Sequence, residues 1–171
     1  MDFAAGNMQS IAIADETFDA VVAHTLLSHV DDPQAVLKEI ARVLRVGGTV
    51  AIFDGDYASL TFHHPDPIRA KANDEAVIRA VVANPRVMRQ MPRLLRAVGL
   101  ELVASHAHVL SEIGRANFWL SAIETFRKLI PKSGVMSAEE ADAWAAGLRS
   151  DSEAGVFFGS SNYYAYVGRR L

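Results

Sequence analysis

The sequence predicts an α/β fold: parallel strands joined by covering helices, with an antiparallel hairpin of strands at the C-terminal end. Three observations carry this. Phe18-Asp-Ala-Val-Val-Ala23 and Thr49-Val-Ala-Ile-Phe53 are short, mainly apolar runs, the pattern of strands buried on both faces. Between them Val36, Leu37, Ile40, Val43 and Leu44 recur at helical spacing. The segment therefore reads strand, helix, strand, a unit with parallel strands and a right-handed crossover. Leu100 to Val109 and Tyr163 to Val167 supply two later strand patterns.

Each element has local signals. Asp31 or Asp32 can cap the first helix, with Pro33 in its first turn. Lys38, Glu39 and Arg42 fall on its other face, and Gly47-Gly48 is the expected stop. Asp54-Gly55-Asp56 is the expected end of the second strand, followed by a loop over Ser59 to Pro67. Ile68 to Val82 and Pro85 to Val98 read as helices, the latter stopping at Gly99. Phe118 to Leu129 is helical, with Pro131 beyond it. Ser137-Ala-Glu-Glu140 matches a capping box, and its helix is expected to run to about Arg149. With no repeat, linker or low-complexity tract, one domain over 1–171 is expected.

Composition narrows the function classes. The 171 residues carry a net charge of −3, with half the residues hydrophobic, so there is no basic face for nucleic acid. The chain has no cysteine, which excludes disulfides, thiolate metal sites and a cysteine nucleophile. The longest apolar stretch, around Val21 to Leu27, is too short to span a bilayer. Residues 1–14 lack a targeting signal. A soluble cytoplasmic protein without a membrane partner is the expectation.

Thr17-Phe-Asp-Ala-Val-Val-Ala-His-Thr-Leu-Leu-Ser-His-Val30 and Leu37-Lys-Glu-Ile-Ala-Arg-Val-Leu-Arg-Val-Gly-Gly-Thr-Val-Ala-Ile52 together resemble two motifs of class I S-adenosylmethionine-dependent methyltransferases. These are the Phe-Asp strand and the Glu-x-x-Arg-Val-Leu-Lys-Pro-Gly-Gly helix end with the strand after it. The style is that of the ubiquinone and menaquinone C-methyltransferases and their small-molecule group. Val46 stands where that family usually has proline. Leu94 to Leu100, and Phe157-Phe158 with Tyr163 to Arg169, resemble the family's later elements, so the likeness runs from about Phe3 to Arg170.

The resemblance implies an incomplete Rossmann-like methyltransferase sheet. In the family the strands lie in the order third, second, first, fourth, fifth, seventh, sixth, and the cofactor crosses the carboxyl ends of the first four. The family's Gly-x-Gly-x-Gly turn has no counterpart before Phe18. The acidic residue that ends its second strand is also missing. Cofactor binding by this chain is therefore expected to be weak or absent, and full binding to need an N-terminal segment that a truncated chain lacks. Asn7 and Met8 stand at the family's adenine contacts, and His24 and Thr25 at the flank of the cofactor's methionine part. Segments 66–98 and 114–150 are expected to form a helical cover over the acceptor site. The expected reaction is methyl transfer to a small-molecule acceptor; the alternative is a degenerate module without catalysis, acting through self-association or a partner.

Several residues carry candidate roles beside plainer readings. His24, Asp54 and Asp56 are candidate bases, though His24 can simply end a strand and acidic residues at strand ends also form turns. Asp56, Tyr57 and Trp119 are candidate acceptor contacts, with a core stripe the default for Trp119 beside Phe118 and Phe126. His29 is a further candidate base, but a histidine there more often packs at a helix entrance. His63-His64 and His106/His108 lack a third ligand of suitable spacing, so no metal is expected. With the family's first strands absent, Val21 to Ala23 is left as a bare apolar edge. A homodimer or larger oligomer formed through that edge is the expectation.

Overall fold

The computed structural model of the chain describes residues 5–171. The elements are β1 (Phe18–His24), α1 (Pro33–Val43), β2 (Leu44–Phe62), α2 (Pro67–Val81), α3 (Val87–Ala97), β3 (Leu100–Gly114), α4 (Phe118–Leu129), a 3-10 turn (Ile130–Ser133), α5 (Ala138–Ala154) and β4 (Phe157–Arg170). They form an α/β fold whose four-stranded sheet has the order β1-β2-β4-β3. β1 and β2 are parallel, as the strand-helix-strand pattern requires. The Arg170 guanidinium donates to the Leu44 carbonyl at the start of β2, and the His63 N–H donates to the Phe158 carbonyl beyond its end. β4 therefore runs antiparallel to β2.

The helix starts follow their caps. Asp32 accepts from the Ala35 N–H at 3.0 Å, and Asp66 accepts from Ile68 at 2.8 Å. Ser137 and Glu140 form the reciprocal capping box. The strand ends depart from the sequence reading. Gly47-Gly48 does not stop α1, because the helix ends at Val43 and β2 begins at Leu44. The glycines make a bulge instead. Phe18 pairs with Leu44 but Ala20 pairs with Thr49, so extra residues of β2 loop out. Gly47 has φ +80, and a Cβ on Gly48 would sit 2.9 Å from the Arg45 carbonyl oxygen. Val46, at the usual proline position, is 67% exposed in this bulge. Nor does Asp54-Gly55-Asp56 end β2, which continues to Phe62 through the expected loop. β3, α5 and β4 also run beyond their expected limits, to Gly114, to Ala154 and over Phe157–Arg170. The start of the family likeness, at about Phe3, lies outside the described residues, and Ala5 is in no strand.

The chain divides into two compact units, each with its own core. Unit 1 takes the chain up to Gly55, Arg86–Ala107 and Tyr163–Leu171. Its core joins Val36, Leu37 and Ile40 of α1, Met88, Met91 and Leu95 of α3, and Ala23, Val50 and Ile52 of the sheet. Both helices thus cover one face. The other face is open: Val22 is 75% exposed, and its partner Ala51 is exposed too. The expectation of β1 buried on both faces is therefore corrected to burial on one. Unit 2 takes Asp56–Pro85 and His108–Asn162. Phe62 meets Trp119, Trp144 and Phe157 edge-on, with ring centres 5.3, 5.7 and 6.3 Å away. α2, α4 and α5 close around this cluster. The helices expected as one cover over 66–98 divide between the units, α2 in unit 2 and α3 in unit 1. No helix among the described residues is long and apolar enough to cross a membrane.

Candidate active site at the carboxyl ends of the strands

Ligands of open α/β sheets bind beyond the carboxyl ends of the parallel strands. In unit 1 the parallel pairing of β1 with β2 ends at His24 and Phe53, and a row of three rings from three neighbouring strands stands there. His24, the last residue of β1, stacks on Phe53 of β2 at 5.1 Å and 25°. Phe53 stacks on Tyr163 of β4 at 5.6 Å and 15°. The register produces this, since His24 pairs directly with Phe53. Thr25 follows at φ +45, a left-handed conformation rare for a β-branched residue. The Thr25 N–H is held by the Phe53 carbonyl at 2.8 Å, and its Oγ1 lies 2.8 Å from His24 Nδ1. Backbone strain at a strand end marks a candidate functional constraint.

Asp54 sets the loop beneath this row. It is fully buried, and its carboxylate accepts from the Ser28 N–H at 2.9 Å, the Ser28 hydroxyl at 2.9 Å and the Gly55 N–H at 2.8 Å. With three donors held by its two oxygens, its geometry is that of a positioning residue. It also acts on Tyr163. Burial, and then the Asp54 charge, push the Tyr163 hydroxyl above its ordinary value of 10.0. Tyr163 therefore remains a protonated donor at neutral pH. His24 is exposed. In the tautomer with its proton on Nδ1, His24 presents a bare Nε2 that can accept one.

The remaining predicted residues scatter. Asn7 Oδ1 accepts from the Gln9 N–H at 2.9 Å in an exposed turn, which leaves one lone pair for another donor. Met8 rests against the core of unit 1. His29 is exposed, its N–H on the Leu26 carbonyl at 3.1 Å. Asp56, 1% exposed, and Tyr57 fall in unit 2. Trp119 is 1% exposed in the aromatic core; the core reading describes it, and the acceptor-contact reading gives way because its ring packs against Phe62 and Phe118. Among the described residues no three His, Asp or Glu side chains gather as a metal site.

Sequence reasoning missed Ser28, Phe53 and Tyr163. Ser28, a small polar residue between Leu27 and His29, offered only a faint signal; the stacking of Phe53 and Tyr163 depends on strands 110 positions apart. It also gave Glu39 and Arg42 no role beyond lying on the other face of α1. Arg42 donates to the Ile13 carbonyl at 2.8 Å, the Ile11 carbonyl at 2.9 Å and Asp15 at 2.6 Å. Glu39 accepts from the Ile11 N–H at 2.9 Å. Arg42, then the Ile11 N–H, holds the Glu39 carboxyl below its ordinary value. The Glu-x-x-Arg pair thus straps segment 11–15 onto α1.

A family model described as a methyltransferase domain matches residues 1–52. A demethylmenaquinone methyltransferase from Mycolicibacterium paratuberculosis is 34% identical over 94 residues, 55% of this chain and 34% of that protein. A solved structure from Bacillus halodurans, assigned as a methyltransferase, aligns with 99% of this chain and 77% of its own at a TM-score of 0.64 and 15% identity. Over its first 52 residues the chain is similar to the class I methyltransferases. At such identity the structural likeness speaks for the fold, and the strand order of this chain agrees. β1-β2-β4-β3 is the order implied for the family's fourth, fifth, seventh and sixth strands. An uncharacterised 37.1 kDa transposon protein from Streptomyces fradiae is 27% identical over 166 residues, 96% of this chain and 47% of the relative. The chain thus spans about half or less of the length of these curated relatives. The stretch matched by the family model lies wholly in unit 1.

Proposed function

We propose that this chain carries the acceptor-side part of an S-adenosylmethionine-dependent methyltransferase acting on a small molecule. The observation that supports it best is the His24-Phe53-Tyr163 row, with strained Thr25 beside it, at the carboxyl edge of the parallel strands. S-adenosylmethionine supplies an already activated sulfonium methyl group. The work left to protein residues is then positioning. His24 and Thr25 flank the methionine part. The free lone pair of Asn7 Oδ1 and the Met8 N–H meet the adenine. Asp54 keeps loop 25–30 in place through Ser28. Tyr163 donates a hydrogen bond to the acceptor, and His24 takes up the proton an oxygen or nitrogen acceptor releases. Asp56 and Tyr57 remain candidates for contacting the acceptor.

These residues fit only part of the cofactor, because the 171 residues contain no Gly-x-Gly turn. We expect isothermal titration calorimetry of the chain with S-adenosylmethionine to show affinity no tighter than about millimolar, roughly −4 kcal/mol. Sub-micromolar binding would refute the incomplete site. A second reading, a module acting by self-association, is favoured by the open edge of β1 at Val21–Ala23 and the exposed Val22. It makes the chain a homo-oligomer, and a stable monomer by light scattering at micromolar concentration sinks it.

A further inference from the structure

Unit 2 contains a cleft of about 470 Å³ to which none of the proposed methyl-transfer residues contributes. Its walls are one face of α2, with Asn73 and Ala76, and one face of α5, with Trp144, Gly147, Leu148 and Asp151. The spacing on each helix is that of residues aligned along one side. The floor is apolar: Ala76, Trp144 and Leu148 are all at least nine-tenths buried.

Two features of the walls point to an occupant. Gly147 lies inside a 17-residue helix, where glycine weakens the helix relative to alanine. A Cβ there would meet nothing within 4 Å, so no packing demand in the chain explains it. A glycine with room beside it suits the close approach of a ligand to the helix backbone. The second feature is charge. Arg69 at the rim has the negative charges of Asp66 and Glu140 acting with it, and Glu140 is already engaged in the capping box. The half-buried Asp151 carboxylate has no hydrogen-bond or ion-pair partner among the described residues. The uncompensated charge of the cleft is therefore negative, and it stands beside an indole ring, which also attracts cations.

We propose that this cleft binds a small organic amine with an apolar, ring-bearing body. The body lies on Trp144, Leu148 and Ala76, the ammonium group pairs with Asp151, and Gly147 gives the ring room against α5. The inference does not rest on the methyl-transfer reading.

The test is a nitrogen-15 NMR titration of the full chain at pH 7 with 2-phenylethylamine, beside the uncharged 2-phenylethanol and the anionic 3-phenylpropionate. The amine is expected to bind saturably and shift residues 69–76 and 143–151. Asp151→Asn is expected to weaken it about tenfold, the worth of one charge-assisted bond. Gly147→Leu, which fills open space, is expected to abolish binding while the melting temperature holds. Gly147→Ala is the folding control, expected to melt higher than the parent. Absence of saturable shifts with the amine, or equal binding of all three probes, overturns the proposal. So does an amine affinity that neither Asp151→Asn nor Gly147→Leu changes by more than about twofold.

Discussion

Unit 1 and unit 2 bury their apolar residues in different ways. In unit 1, α1 and α3 cover one face of the sheet, and Val22 and Ala51 on the other stay exposed. Polar clamps hold its loops beside that core: Arg42 on segment 11–15 and Asp54 on Ser28. Unit 2 has a closed aromatic core around Phe62, and its helix ends are tied by carboxylates. The lesson is that the region matched by the family model is organised to hold loops at strand ends, whereas unit 2 is organised as a core with a cleft in its helical wall.

If that contrast is right, truncating an aromatic in unit 2 has the largest effect. Trp119→Ala is expected to cost about 3–5 kcal/mol in chemical denaturation; a loss under about 1 kcal/mol would break the claim of a closed core. Asp54→Ala in unit 1 comes next, at roughly 2–3 kcal/mol, because it leaves buried donors of Ser28 and Gly55 without an acceptor. It should also broaden NMR signals of residues 25–30. If Asp54 were instead a base, activity of a complete enzyme would fall while stability held.

Glu112 sharpens the comparison at smaller scale. It accepts from the N–H groups of Asn117, Phe118 and Trp119, each at 3.0 Å, at the start of α4. Partial burial acts to raise its pKa, but the three donors outweigh it and the carboxyl lies below its ordinary 4.5. The depressed pKa means that its stabilisation is fully present above about pH 4.5 and is lost as pH falls through the lower folded value. Glu112→Gln should flatten the acid limb of a melting-temperature profile and cost about 1 kcal/mol at pH 7. An unchanged acid limb would contradict the cap. Val22→Ser is expected to have the smallest effect on unfolding, within about 0.5 kcal/mol, since the residue is exposed. A larger loss that grows with protein concentration would place Val22 in an interface between copies.

Much of the helical framework was readable because its signals are local. Asp32-Pro33, Ser137 with Glu140, and the apolar spacing of α4 identified starts or limits that the structure reproduces. The strand ends were not readable. Asp54-Gly55-Asp56 has the chemistry of a turn, yet β2 runs through it. Gly47-Gly48 has the chemistry of a helix stop, yet it forms a bulge. In the candidate site His24, Thr25 and Asp54 were found from sequence, but Asp54 holds a loop instead of facing an acceptor.

By itself the sequence determined the order of elements, the parallel first pair of strands, the helix caps and the likeness to a family. Each of those depends on residues within a few turns of one another or on a contiguous motif. Only the tertiary structure decided where β2 stops, which carboxylates are already occupied, and that Phe53 and Tyr163 share a stack with His24. The physical reason is that such facts depend on hydrogen bonds and ring contacts between segments far apart in the chain, as when the Asn162 N–H meets the Ser59 hydroxyl at 2.9 Å across 103 positions.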